Sequence, residues 1–254
     1  MLAKVDHAKR VLVVLHQQHS SPGRIGRILR ADGVELDIRR PRYGDPLPTS
    51  MARHDGVIVF GGPMSANDPD DYIRDEIDWI AHPLREAKPY LGVCLGAQML
   101  ARHLGERVGV HPAGRAEVGY YPIAATPEGQ RLRGAALPGH VYQWHREGFD
   151  LPRDAVLLAR GDDFPHQAFR YGPAAFGLQF HPEVTYALIR RWTTKGEARL
   201  ALPGARPAVT HIEDWYRYDA AVSDWLEDFL PHWLAGTLDA QATACAQSVM
   251  TSAQ

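Results

Sequence analysis

Three short stretches hold residue types that could do covalent chemistry on a carbonyl. "LGVCLGAQML", residues 91–100, sets Cys94 between Gly92 and Gly96, the spacing of a nucleophile on a tight strand-to-helix turn. A helix beginning there would favour a negative sulfur, through its unpaired N–H groups and its dipole. "FGLQFHPEV", residues 176–184, places His181 before Pro182, which biases the histidine toward extended backbone. Side chains two apart on an extended segment share a side, so the Glu183 carboxylate falls beside the His181 ring. There it could hold the tautomer and balance an imidazolium. "VFGGPMSAND", residues 59–68, ends an apolar run in Gly61 and Gly62, a pair that lets backbone approach a ligand closely. The N–H groups of Gly62 and of Leu95 are then candidate donors to an oxyanion. Gln98, four residues after Cys94, projects from the same helix face. Taken singly, each stretch also has a plain structural reading: a buried free cysteine, an exposed ion pair at a strand end, a turn.

The elements that must position these residues follow from periodicity. "RVLVVLH" (10–16) and "DGVIVF" (55–60) are continuous apolar runs, as in strands buried on both faces of a parallel sheet, and "VELDIR" alternates as a strand between them. "PGRIGRILRADG" carries Ile25, Ile28 and Leu29 at helical spacing, and "DDYIRDEIDWIAHPL" does the same with Ile73, Ile77 and Ile80. "PYLGV" leads into Cys94, and "LGAQMLARHLG" continues as a helix closed by Gly105. Repeated strand and helix units imply an α/β fold with a mainly parallel central sheet flanked by helices, whose sites form at the carboxyl ends of the strands. From residue 106 to about 180, short segments such as "HVYQWH", "AVLLAR", "HQAFRYG" and "AAFGLQF" lie between Gly, Pro and Asp turns, which predicts a small antiparallel extension. Beyond His181 the pattern is helical again, with Val222, Trp225, Leu226 and Phe229 on one face. A single domain is expected over 1–236, with a flexible tail over 237–254.

The chain has 254 residues with 28 Lys plus Arg against 30 Asp plus Glu, a formal charge of −2. Such a balance offers no field for nucleic acid or an anionic membrane, so neither is an expected partner. Arg24, Arg27, Arg30, Arg39, Arg40 and Arg42 cluster, but Asp32, Glu35 and Asp37 interleave with them, and a solvated surface is expected. Only two cysteines, Cys94 and Cys245, occur, and no secretory signal or membrane-length apolar run is seen; the expected location is the cytoplasm. His16 and His19 stand three apart without an accompanying Cys or carboxylate cluster. They are expected at the pocket rim after the first strand rather than at a metal site. There is no Gly-x-x-x-x-Gly-Lys-Ser/Thr loop and no Gly-x-Gly-x-x-Gly after a strand, and no cofactor is expected.

Together, and in this order, Gly-Gly-Pro, Gly-x-Cys-x-Gly-x-Gln and Gln-Phe-His-Pro-Glu resemble the patterns of the class I glutamine amidotransferases, over roughly residues 10–195. The resemblance implies a flavodoxin-like fold and a Cys-His-Glu triad: Cys94 the nucleophile, His181 the general base and acid, Glu183 its orienting carboxylate. Gly62 and Leu95 would form the oxyanion hole, and Gly61, Gln98, Trp144 and His145 the substrate contacts. In the segment "WHREGFDLP", His145 and Glu147 match a His-Gly-Asp motif of members related to the glutaminase part of GMP synthase, but Arg146 stands in the glycine position. The implied reaction is hydrolysis of the glutamine γ-amide through a cysteine thioester. A separate synthetase that accepts the ammonia is an implied partner, since the chain shows no ATP-using acceptor domain. The alternatives are a free-standing γ-glutamyl peptide hydrolase and a silent regulatory or binding subunit.

Overall fold

The apolar runs of the first half become strands buried on both faces, and the amphipathic stretches between them become the helices that cover them. A computed structural model describes residues 8–134 and 136–238. In chain order its elements are β1 (Arg10–Val14), α1 (Gly23–Ala31), β2 (Glu35–Arg39), β3 (Gly56–Val59), α2 (Asp71–Trp79), α3 (Ala81–Arg85), β4 (Tyr90–Val93), α4 (Leu95–His103), β5 (Val108–Val110), β6 (Glu117–Pro122), β7 (Ala124–Ala125), α5 (Pro127–Gln130), β8 (His140–His145), β9 (Glu147–Phe149), β10 (Ala155–Arg160), β11 (Ala168–Tyr171), β12 (Ala175–Leu178), α6 (Tyr186–Lys195), α7 (Glu197–Leu200) and α8 (Ala208–Ala235).

Eight strands form one sheet in the order β2-β1-β3-β4-β12-β11-β10-β7. The pairs β1–β2, β1–β3, β3–β4 and β4–β12 are parallel, a doubly wound order of the flavodoxin type. Alternate residues feed two cores. Val11 and Val13 meet α1 and α8 through Ile25, Leu29, Trp225 and Phe229. Leu12 and Val14 meet α2 and α4 through Ile73, Met99 and Leu100.

The antiparallel extension expected from the turns is built onto the central sheet itself. β11, β10 and β7 continue the central sheet, and β12 lies within its parallel part beside β4. All four residues of β12 are buried, as are those of β4. A short apolar run marks a buried strand but does not name its partner, which tertiary packing chooses. Only β5–β9 and β6–β8 stand apart as two-stranded pairs among the described residues.

The helix expected over 70–84 divides at Ile80. Pro83 then falls in the first turn of α3, where its missing N–H costs no intrahelical bond. The last helix begins well before the pattern suggested, at Ala208, and runs for 28 residues. Of the segment expected as a tail, Leu238 is buried and its carbonyl accepts the Arg133 N–H at 2.9 Å; residues 239–254, Cys245 included, lie outside the described residues. No helix among the described residues is long and apolar enough to cross a membrane.

Candidate active site

The register of three parallel strands brings the chemical residues to one edge. Val93 of β4 lies opposite Leu178 of β12, and Gly92 opposite Val59 of β3. Chains leaving parallel strands emerge on the same side, so the segments carrying Cys94, His181 and Gly61 meet there. The Cys94 N–H donates to the Leu178 carbonyl at 2.7 Å, locking the turn to its neighbour.

Cys94 sits immediately before α4 with φ 51° and ψ −104°, a backbone conformation that costs a non-glycine residue on the order of 1–3 kcal/mol. The flanking glycines make the turn sterically feasible. A Cβ on Gly96 would lie 2.0 Å from the Val59 carbonyl oxygen, and one on Gly92 2.5 Å from that of Gly96.

His181 Nδ1 lies 2.8 Å from Glu183 Oε1, and both side chains are buried. The segment is held from three directions. The His181 N–H donates to Tyr142 of β8 at 2.8 Å, the Glu183 carbonyl accepts from the Arg24 N–H of α1 at 2.9 Å, and the Trp192 ring of α6 meets the imidazole edge-on at 5.0 Å. Burial disfavours the charged imidazole, but the negative charges of Glu183 and Cys94 outweigh it and raise the His181 pKa to about 10. Nε2 is buried without a hydrogen-bond partner of good geometry among the described residues, as is common before substrate tightens such contacts.

Gly61 fits against this pair: a Cβ there would lie 2.7 Å from His181 Cε1 and 3.4 Å from Cys94 Cβ. The N–H groups of Gly62 and Leu95 have no acceptor among the described residues. Two unpaired donors beside a cysteine can receive a negative oxygen.

The pocket over Cys94 encloses about 20 Å³, with Gly62, Met64, Gln98, Trp144 and Arg199 in its wall. Gln98 lines it as expected, but its Nε2 is committed to the Glu147 carbonyl (2.8 Å) and to Gln179 (3.2 Å). His145 also lies at the pocket, yet both ring nitrogens are occupied, Nδ1 by the Glu147 carbonyl at 2.9 Å and Nε2 by Glu117 at 3.0 Å. The histidine therefore braces the 145–147 corner. Arg146 is exposed at the rim.

Arg199 is the site residue that sequence patterning missed. It stands on the four-residue α7, half-buried, with no ion-pair partner among the described residues. Burial holds its pKa below the ordinary value, with Cys94 acting against that shift and Arg146 adding to it. So short a helix has no readable period, and its place depends on Gly196, where a Cβ would lie 2.6 Å from the Trp144 ring.

The two histidines expected at the rim part company. His19 is exposed, whereas His16 is fully buried beneath the Gly61–Gly62 loop. Among the described residues no group of three or more His, Cys, Asp or Glu side chains is placed to hold a metal ion. Arg24, expected on a solvated face, is 3 % exposed and pairs with Asp219 of α8 at 2.5 Å.

Known proteins are similar to this chain in sequence and in fold. A glutamine amidotransferase-like protein of Salmonella typhimurium, YfeJ, is 28 % identical over 200 residues, covering 76 % of this chain and 83 % of that one. The glutamine-hydrolyzing GMP synthase of Ignicoccus hospitalis has one subunit that is 34 % identical over 165 residues, covering 64 % and 82 %. Among solved structures, a glutamine amidotransferase from Methylobacillus flagellatus superposes with a TM-score of 0.81 at 26 % identity, covering 91 % of this chain and 94 % of that one. One from Thermotoga maritima superposes with 0.80 at 28 % identity, covering 90 % and 99 %. The model of the class I glutamine amidotransferases matches residues 19–190, a span that contains all three motifs and the three strands that carry them, and the chain belongs to that family.

Proposed function

We propose that this chain hydrolyses the γ-amide of glutamine, with Cys94 as nucleophile. The observation that carries the proposal is the charge-coupled Cys94 and His181–Glu183 pair, meeting at the ends of adjacent parallel strands. The Cys94 thiolate attacks the γ-carbonyl carbon, and the oxygen becomes an anion received by the Gly62 and Leu95 N–H groups. The His181 imidazolium gives its proton to the departing nitrogen, ammonia leaves, and a γ-glutamyl thioester remains. Neutral His181 then takes a proton from water, whose oxygen attacks the thioester. Collapse expels the thiolate and releases glutamate, which loses its acid proton to solvent. Glu183 holds the ring in register throughout.

Arg199, a cation at the pocket with no ion-pair partner among the described residues, is suited to the substrate's carboxylate. Arg199→Ala is expected to raise KM by about 10- to 100-fold, the worth of one charged hydrogen bond, with kcat little changed. Arg146 beside it favours a second reading: two cations at one rim match the two carboxylates of a γ-glutamyl dipeptide better than the single one of glutamine. The names of the GMP synthase relatives suggest instead a separate synthetase that takes up the ammonia.

Glutamate release by the purified chain, from glutamine and from γ-glutamyl dipeptides with Cys94→Ala as blank, tests these readings. Faster release from dipeptides selects the peptidase. Release from glutamine, or a trace only, points to a synthetase partner. Failure of a glutamine-analogue electrophile to label Cys94 on folded protein would leave a silent binding protein.

A further inference from the structure

His16 and Glu76 form a second buried histidine–carboxylate pair, which the reaction above does not use. His16 follows the end of β1, next to β3 in the sheet, and is 0 % exposed; Glu76, on α2, is 3 % exposed. The ring bridges two partners. Nδ1 lies 3.2 Å from the Gly61 carbonyl oxygen and Nε2 lies 2.8 Å from Glu76 Oε2. The other carboxylate oxygen, Oε1, is buried without a hydrogen-bond partner among the described residues. A carbonyl oxygen only accepts, so in the bond to Gly61 the donor is Nδ1–H of His16.

The carbonyl that His16 holds belongs to the same peptide unit as the Gly62 N–H. The chain has no cis peptide bond among its described residues, and in a planar trans unit C=O and N–H point in opposite directions. Drawing the oxygen toward His16 therefore turns the N–H the other way, toward the pocket that Gly62 shares with Cys94. Two glycines in succession would otherwise leave this peptide free to rotate.

We propose that the buried His16–Glu76 pair positions the oxyanion hole, fixing the Gly61–Gly62 peptide so that the Gly62 N–H faces the reacting carbonyl. His16 is on this account a positioning residue. The inference rests on the hydrolase reading, and its effect falls on steps that develop an oxyanion and on no others. Substrate binding and thiolate reactivity are left alone.

The test compares two reactions of the full chain. One is glutamate release, which forms an oxyanion; the other is alkylation of Cys94 by iodoacetamide, a displacement of iodide that forms none. Removal of an oxyanion donor costs about 10²–10³-fold in kcat, so loosening one in His16→Ala should cost about tenfold or more. KM and the alkylation rate should stay near wild type. His16→Asn, whose amide N–H falls where Nδ1 was, should recover most of kcat. Should His16→Ala fail to fold, His16→Leu with Glu76→Leu replaces the buried pair by apolar volume, a change often tolerated, and the same split is expected. Wild-type kcat in either donor-free variant overturns the inference, as does a parallel fall of turnover and alkylation, which marks a merely structural pair. A wild-type chain that releases glutamate from no γ-glutamyl compound overturns the hydrolase reading, and the inference with it.

Discussion

At the scale of single residues, the site depends on atoms that are missing as much as on those present. Gly61 contributes no side chain, yet it decides where the His181 ring can lie, since a methyl group there would sit 2.7 Å from Cε1. The ring has little room to withdraw, being bonded to Glu183 on one side and stacked edge-on against Trp192 on another. Gly61→Ala should therefore fold but lose on the order of 10²-fold in kcat/KM, the usual result of moving a reacting group by about an ångström. The check is turnover beside an unchanged circular dichroism spectrum. Wild-type turnover in this variant would mean that the loop, not the ring, gives way.

At the scale of elements, α1 joins the site to the long C-terminal helix. Its Arg24 N–H holds the Glu183 carbonyl, while the Arg24 guanidinium pairs with Asp219 of α8, which also accepts from Tyr120 of β6 at 3.3 Å. Asp219→Ala would strand a buried cation and should destabilise the fold by about 3–5 kcal/mol, whereas Arg24→Met with Asp219→Leu should recover most of that. Denaturant midpoints decide it; an additive double variant would deny the pairing. The pair also shows where the sequence stopped being legible. The strand and helix order of the first half, and the motifs around Cys94, His181 and Gly62, could be read because periodicity, glycine and proline act locally. Arg24 looked like a surface residue because its partner lies 195 positions away. The place of β12 beside β4, the bond of His145 Nε2 to Glu117 and the approach of Arg199 were hidden for the same reason: each depends on partners distant in sequence.

At the scale of the whole molecule, the site is coupled to stability through protons. The pKa of His181 rises from 6.5 to about 10 on folding, so the folded chain holds this proton more tightly than the unfolded one. The resulting stabilisation is complete below pH 6.5 and is lost as the pH climbs toward 10. The chain carries other ionisable groups, with 28 Lys plus Arg and 30 Asp plus Glu, so the wild-type curve alone does not isolate the effect. A difference curve does. Glu183→Gln removes the nearest charge that holds the proton and leaves the other groups in place. It should melt below wild type near pH 6.5, with about 2–4 °C for each kcal/mol lost in a chain of this size, and the gap should close as pH approaches 10. Parallel melting curves across the window would show that the proton on His181 is not bound to the folded state by Glu183. Convergence would mean that the charge arrangement suited to proton transfer at Cys94 also stabilises the fold at neutral pH.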